Sequence, residues 1–457
     1  MKHAQFPKLT QQTLIASMFA IGAVTVAQPA FADPATEIES LKHELAEQRK
    51  LIERLLAAQP AQAAAPAAPS AAPAVATTPA PAAASTAASP SNFNFYGTID
   101  VNVMNADSGY GARTTVGSGG MNASSIGIKG QRDLGDGMKA VGELEAALAV
   151  DNGVVSNGAV TLGINNNAPS SGALTGGDTQ IFSRQAYAGL STDYGTLTIG
   201  RQYTGSFIVA AVYANALGSG FLGNGAAFLP VIGGMPTRVN NSIVYKTPAF
   251  NGLSGYFTYT AGSENNVSTD VTSGTTKTND SAGQGWDLQA LYKSGGLTAA
   301  ASTWNIKNNS YVIAGETDLA TKQGRQLAVN YDLGGPRLYA NYVAGEISGG
   351  NYENVTKTLS KSSGWSISGA MPFGKSTVIA SYARLDDESL LNKDGTLFGL
   401  SYTYELAANT KLYASWAKQL NEATSTYSLT NSGDLVGSIA NAGFSPSGFM
   451  VGLNVKF

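Results

Sequence analysis

From Phe93 to the last residue, Phe457, the chain runs in short stretches of alternating apolar and polar residues, and two kinds of connection separate them in strict rotation. Short connections carry Gly, Asp, Asn or Pro: Asp133 to Gly137, Asp193 to Gly195, Pro248 to Gly252, Ser294 to Gly296, Gly334 to Pro336, Phe373-Gly374 and Ala407 to Asn409. Longer polar segments lie between them, near 106–122, 151–178, 205–237, 263–283, 307–322, 346–360, 387–394 and 421–446. Seven short and eight long connections require sixteen strands. The final stretch shows the period of two most plainly: Phe449, Val451, Leu453, Val455 and Phe457 fall on one face, and Met450, Gly452, Asn454 and Lys456 on the other. About ten residues is what a tilted strand needs to cross a bilayer. One such strand would suit a soluble sandwich equally well. An even set with short turns on one side and long loops on the other instead specifies an all-β fold, a 16-stranded antiparallel transmembrane β-barrel. In the first strand, Gly97, Ile99, Val101 and Val103 are expected to face lipid, and Thr98, Asp100 and Asn102 the lumen.

The N-terminal part is organised differently. Residues 1–32 read as a signal peptide: Lys2 and Lys8 begin it, Leu14 to Val26 form an apolar core, and Ala30-Phe31-Ala32 is a small-x-small cleavage site. No later stretch is long and apolar enough for a spanning helix, so any crossing is made by strands. Residues 33–58 carry the three-and-four spacing of a short coiled-coil helix, with Ile38, Leu41, Leu45, Gln48, Ile52 and Leu55 in the seam and Thr36 with Glu39 as a capping box. An isolated amphipathic helix lying on another surface is the alternative. Residues 59–92, mostly Ala, Pro, Ser and Thr, form an Ala/Pro-rich linker reaching up to roughly 100 Å if fully polyproline-like. The barrel domain follows, 93–457. Both barrel ends fall on the short-turn side, which places the helix and linker in the periplasm.

The residue inventory narrows the chemistry. There is no Cys, so disulfides do not hold the exported chain. His3 and His43 are the only histidines, which leaves the barrel without Ser-His or Cys-His pairs or His-containing metal sites. No catalytic motif stands out, and an enzyme, a cofactor and a metal centre are not expected. Nor is there a basic block suited to nucleic acid.

At this level of detail the chain resembles the trimeric porins of Gram-negative outer membranes. The resemblance rests on Phe95-Tyr96-Gly97-Thr98-Ile99-Asp100, on Ile126-Gly127-Ile128-Lys129-Gly130 with Asp133-Leu134-Gly135-Asp136-Gly137, and on Ala188-Gly189-Leu190 running to Gly195. Gly200-Arg201-Gln202-Tyr203, Arg238-Val239-Asn240-Asn241-Ser242 with Tyr245, and the terminal Phe complete it. It implies a homotrimer embedded in outer-membrane lipid, each subunit with a water-filled pore narrowed by the third long loop, 205–237. It also implies wall arginines at Arg201 and Arg238, a wall glutamate at Glu145, and Phe457 as the recognition signal for barrel insertion. Glu143, Asp100 and Lys129 are the further candidates for the constriction. Two positions depart from the family: Ser125 where an arginine is frequent, and Thr98 where a lysine can occur.

The third loop departs further. Between Tyr203 and Arg238 there is no Asp, Glu, Lys or Arg, and the stretch carries Phe207, Ile208, Val209, Phe221, Leu222, Phe228, Leu229, Val231 and Ile232. The acidic half of a transverse field is therefore missing, and unopposed wall arginines favour anions such as carboxylates or phosphates. The competing reading has Arg201 and Arg238 neutralised by Glu143, Glu145 or Asp100, with no strong selectivity. Lys129, Arg184, Arg325 and Arg384 would add to a positive lumen if they point inward, which the blurred alternation of their strands leaves open. The acidic residues Asp386, Asp387, Glu388 and Asp394 read as a solvated surface rather than a divalent-cation site. The expected function is passive diffusion of small hydrophilic solutes and ions. The alternative is a structural anchor that ties the envelope, through the N-terminal segment, to the cell wall.

Overall fold

The structure, a computed structural model, describes residues 92–457 apart from 157–180, 226–233, 263–266, 270–275, 279–280, 282, 308–319, 353–354, 389–391 and 431–439. The signal peptide, the coiled-coil helix and nearly all of the linker lie outside the described residues.

The strands of the wall are β1 (Asn92–Asp107), β2 (Ser125–Gly135), β3 (Met138–Ala149), β4 (Gln185–Thr192), β5 (Gly195–Tyr203), β6 (Arg238–Lys246), β7 (Leu253–Ala261) and β8 (Gln284–Ser294). They continue as β9 (Leu297–Lys307), β10 (Thr321–Asp332), β11 (Arg337–Tyr352), β12 (Val355–Phe373), β13 (Ser376–Asp387), β14 (Gly395–Ala407), β15 (Thr410–Asn421) and β16 (Ser447–Lys456). The main sheet has 18 strands, and two of these, Arg113–Ser118 and Val154–Ser156, belong to the first and second loops. The other sixteen are the expected barrel. Each pairs antiparallel with its sequence neighbour, and β1 closes on β16 from Thr98↔Lys456 to Asp107↔Ser447. Closure follows from the solvent: in hydrocarbon an unpaired strand edge leaves backbone polar groups with no partner at several kcal/mol each.

Local chemistry sets the turns. Asp136 and Asn409 adopt positive φ, +50° and +60°, in the first and seventh short turns, which asparagine and aspartate tolerate and most residues do not. The pleat then sorts side chains as expected. Ile99, Val103, Phe449 and Val451 are exposed on the outside, where lipid covers them, while Asp100, Asn102, Met450 and Asn454 are buried in the lumen.

The lumen is not uniformly polar. The third loop begins as one turn of helix, α1 (Gly205–Ile208), passes into a π-helical turn (Val209–Tyr213), and lies inside the barrel. Its Leu217, Phe221 and Leu222 share a core with inward residues of the wall, among them Trp304, Ile379, Ala383 and Leu397. Polar contacts fix the loop: Ala216 N–H donates to Ser368 Oγ (2.8 Å) and Asn330 Nδ2 to Tyr213 O (3.2 Å). At the closest approach a Cβ on Gly223 would lie 2.5 Å from the Cα of Gly399, so both positions require glycine for the loop to touch the wall. A charge-free, apolar loop is what such an interior shelf needs, since charges buried against it would be unpaired.

At the seam, Phe457 N–H donates to Gly97 O (3.1 Å) and Gly97 N–H to Phe457 O (3.0 Å). The Phe457 ring covers the bare backbone of Gly97 and meets Phe95 at 5.9 Å between ring centroids. Deleting Phe457 removes the last closing bonds of a strand pair that must form for the barrel to exist. The expected result is a marked fall in the yield of heat-modifiable, folded barrel on outer-membrane extraction, with unchanged single-channel conductance for the fraction that assembles; wild-type yield would contradict this role.

Candidate functional site

Inward residues of β3 to β6, with the residue before β4, bring three arginines and two glutamates to one side of the lumen. Glu143 and Glu145 alternate with the outward Leu144. Glu143 is held by neutral donors: Tyr96 Oη (2.5 Å), Tyr187 Oη (2.7 Å) and Gln185 Nε2 (2.9 Å). Glu145 is almost fully buried and forms an ion pair with Arg184 (Nε to Oε1 3.1 Å).

Tyr203 organises the rest. Its hydroxyl oxygen accepts from Arg184 Nη2 (2.7 Å) and Arg238 Nη2 (2.5 Å), and the Arg238 guanidinium lies over its ring, 4.3 Å from the centroid. The ring stacks on Phe207 of the third loop at 5.6 Å, and Tyr256 Oη donates to the Tyr203 carbonyl (2.7 Å). Cation–π contact and hydrogen bonding thus hold Arg238, 6% exposed, without a carboxylate. Arg201 is held by Ser183 O (Nε, 2.6 Å) and Asn240 Oδ1 (Nη1, 2.6 Å). Among the described residues, neither Arg201 nor Arg238 forms an ion pair.

A bulge explains the aim of Arg201. The β5–β6 register breaks between Gly200↔Ser242 and Gln202↔Val239, leaving Arg201 on one strand and Asn240-Asn241 on the other outside the ladder. Gly200 has φ +136°, Asn241 φ +48°, and a Cβ on Gly200 would lie 2.2 Å from Ala186 O. Bulges redirect side chains in this way. Beside the cluster a cavity of about 200 Å³ opens, lined by Thr98, Ser125, Arg184, Tyr203, Phe207 and Arg238 among others.

The other expected residues separate. Lys129 points inward over the Tyr96 ring, 4.9 Å from its centroid, and is exposed. Asp100 is fully buried and braces the first loop: its carboxylate accepts from the backbone N–H of Gly120 (2.8 Å), Met121 (3.1 Å) and Asn122 (2.9 Å), and from Tyr413 Oη (2.6 Å) and Asn454 Nδ2 (2.7 Å). It therefore presents no free charge to the pore. Arg184, left open by alternation, joins the cluster. Arg325 shares the outward face with Leu327 and Val329, and Arg384 that of Ala380, where it pairs with Asp394 (3.1 Å). Asp387 and Asp394 are engaged within the seventh loop, Asp394 Oδ1 accepting from Asp387 N–H (2.9 Å) and Asp387 Oδ2 from Lys393 N–H (3.0 Å). Tyr96, Tyr187 and Tyr203 belong to the site and were missed by sequence reasoning. Inward parity would have flagged Tyr96 and Tyr187, whereas Tyr203 has the parity of the outward Leu197 and Ile199 and lies beyond the bulge, where alternation misleads.

A closed barrel with a lipid-facing apolar surface, an inserted loop and a charged lumen defines an outer-membrane channel. The model of the family described as Gram-negative porin matches residues 70–424, and the chain belongs to that family. Outer membrane porin protein 32 of Delftia acidovorans is 26% identical over 378 residues, covering 81% of this chain and 95% of that one. An outer membrane porin of Bordetella pertussis is 27% identical over 344 residues, covering 68% and 81%. Among solved structures, an anion-selective porin from Comamonas acidovorans shares the fold with a TM-score of 0.61 and 22% identity, over 80% of this chain and all of that one. The protein is thus an outer-membrane porin, a passive diffusion channel for small hydrophilic solutes.

The Arg184–Glu145 pair yields a test of the cluster. Arg184→Met leaves the buried Glu145 without its ion-pair partner and is expected to destabilise the barrel by about 3 kcal/mol in denaturant unfolding. Removing both charges, with Arg184→Met and Glu145→Met together, should recover most of that loss; a single variant as stable as wild type would mean that the pair is not coupled.

Proposed function

We propose that the pore prefers anions and that Arg201 and Arg238 set the preference, with Arg184, Glu145, Glu143 and Lys129 shaping the field around them. The observation that carries this reading is the pair of guanidiniums held by neutral groups alone, on a wall that faces a loop without a single charged residue. Glu145 is taken up by Arg184, and Glu143 by three neutral donors, which supports a net positive constriction. In a confined, low-dielectric passage fixed positive charge lowers the entry barrier for anions and raises it for cations. The structural relative from Comamonas acidovorans bears the description anion-selective, in agreement with this.

Reversal potentials in planar bilayers under a salt gradient test the reading. The wild-type channel should show anion selectivity. Arg201→Ala and Arg238→Ala should each lower the anion-to-cation permeability ratio by about six- to thirtyfold, since one charge at roughly 4–8 Å in water changes each barrier by about two- to sixfold and acts on anion and cation in opposite directions. Cation selectivity in the wild type would overturn it.

We further propose that the porin is a homotrimer and that residues 33–92 form a periplasmic coiled coil and linker outside the permeation path. The heptad spacing and the Pro-rich composition support the coiled coil and linker, whose Ile-and-Leu seam by itself favours two strands, and the trimer rests on the membership of the porin family. Channels lacking 33–92 should conduct as the wild type does and retain a three-copy mass by light scattering. Changed conductance would refute their separation from the pore, and a mass other than three copies in the wild-type channel would refute the trimer.

A further inference from the structure

We propose that Asp287 and the oxygens around it form a site for one monovalent cation, sodium, which fastens the root of the third loop to the barrel wall.

Asp287, on β8, is fully buried beneath the start of the loop. Its Oδ2 accepts from Ser206 N–H (2.7 Å), whereas Oδ1 has no hydrogen-bond partner among the described residues. No lysine or arginine forms an ion pair with it there. A buried carboxylate without a countercharge is among the least tolerable features of a protein interior, and it is resolved by a paired cation, a metal ion or a proton.

The surroundings favour a metal ion. Two further buried oxygens at the same place also have no partner among the described residues, Gln289 Oε1 and Thr258 Oγ1, and the Ser206 hydroxyl lies against the Asp287 carboxylate. Topology brings them together. Asp287 and Gln289 occupy successive inward positions of β8, Thr258 is the direct cross-strand partner of Asp287 on β7, and Ser206 already binds it through its backbone. Gly205 marks the point of convergence: a Cβ there would lie 2.6 Å from Asp287 Oδ1 and 3.2 Å from Gln289 Oε1. A proton on Oδ1 would reach one further oxygen at most and would not serve Gln289 Oε1 and Thr258 Oγ1 together. A hard cation takes carboxylate, amide and hydroxyl oxygens together. With one carboxylate in the set, a monovalent ion balances the charge, and a divalent ion would leave a buried positive charge. None of its oxygens comes from the arginine cluster, and its readout is stability rather than permeation, so it is tested independently of anion preference.

The test uses the whole barrel in lipid vesicles, with sodium chloride replacing choline chloride at constant ionic strength and the unfolding midpoint read by tryptophan fluorescence. The wild type should gain stability saturably with sodium. Asp287→Asn keeps an acceptor for Ser206 N–H and should fold but lose the response. Thr258→Val, an isosteric loss of one ligand, should raise the sodium concentration for half-response about tenfold. Equal stability in sodium and choline, an unaltered sodium response in Asp287→Asn, or a stability that follows pH and not sodium would each overturn the proposal.

Discussion

The constraint on which the rest depends is the closing ladder between β1 and β16. In hydrocarbon every backbone N–H and C=O needs a partner inside the protein, so a sheet in a membrane has no admissible edge. The pairing from Thr98↔Lys456 to Asp107↔Ser447, extended by the mutual bonds of Gly97 and Phe457, removes the two edges that sixteen strands would otherwise leave. Once the ring is closed, parity does the sorting. Every inward position is committed to the lumen, and a residue can change sides only at a bulge. That is why the register break beside Arg201 matters: it is the one point on β5 where the chain is free to choose where a guanidinium goes.

Closure also creates the problem that the third loop solves. A ring of this size encloses more space than inward side chains fill. The loop occupies part of it with an apolar shelf, Leu217, Phe221 and Leu222 against Trp304, Ile379 and Leu397. Beside the shelf a cavity of about 200 Å³ remains next to the charged side chains, lined by Glu145, Arg184, Tyr203 and Arg238 among others. The shelf and the charges are thus complementary: the loop displaces water from the far side and contributes no charge of its own, so the field in the remaining passage belongs to the wall.

Much of this architecture was legible in the chain because it follows from the backbone's period of two. The sixteen strands, the seven turns and the outward faces of β1 and β16 needed no tertiary knowledge. Two features hid the rest. Where the loop covers the wall, inward positions such as Trp304, Ile379 and Ala383 are apolar, so both faces of β9 and β13 look alike and the direction of Arg384 could not be read. Contacts between distant segments were invisible too. Asp100 carries the parity of a pore residue, yet Tyr413 and Asn454, more than 300 residues away, and the backbone of the first loop consume its oxygens. Arg184 sits one residue before β4, where alternation has no force, and only the fold shows it facing Glu145.

The electrostatic character of the passage turns on a hydroxyl rather than on a charge. Tyr203 accepts from Arg184 and Arg238 through one oxygen, and its ring lies between Arg238 and Phe207. Two guanidiniums brought to one point repel, and a carboxylate there would hold them together by cancelling them. A neutral phenol holds them at a smaller electrostatic gain and leaves the positive charge in place. Glu145, which could have played the cancelling part for both, forms its ion pair with Arg184 and acts on Arg238 only through space. Among the described residues the wall therefore keeps one guanidinium at Tyr203 and a second at Asn240 without an ion pair, each fixed in position by neutral acceptors. For the anion preference proposed above, immobile charge held without an ion pair is what is needed, because a mobile side chain would swing to an acid and a paired one would attract little.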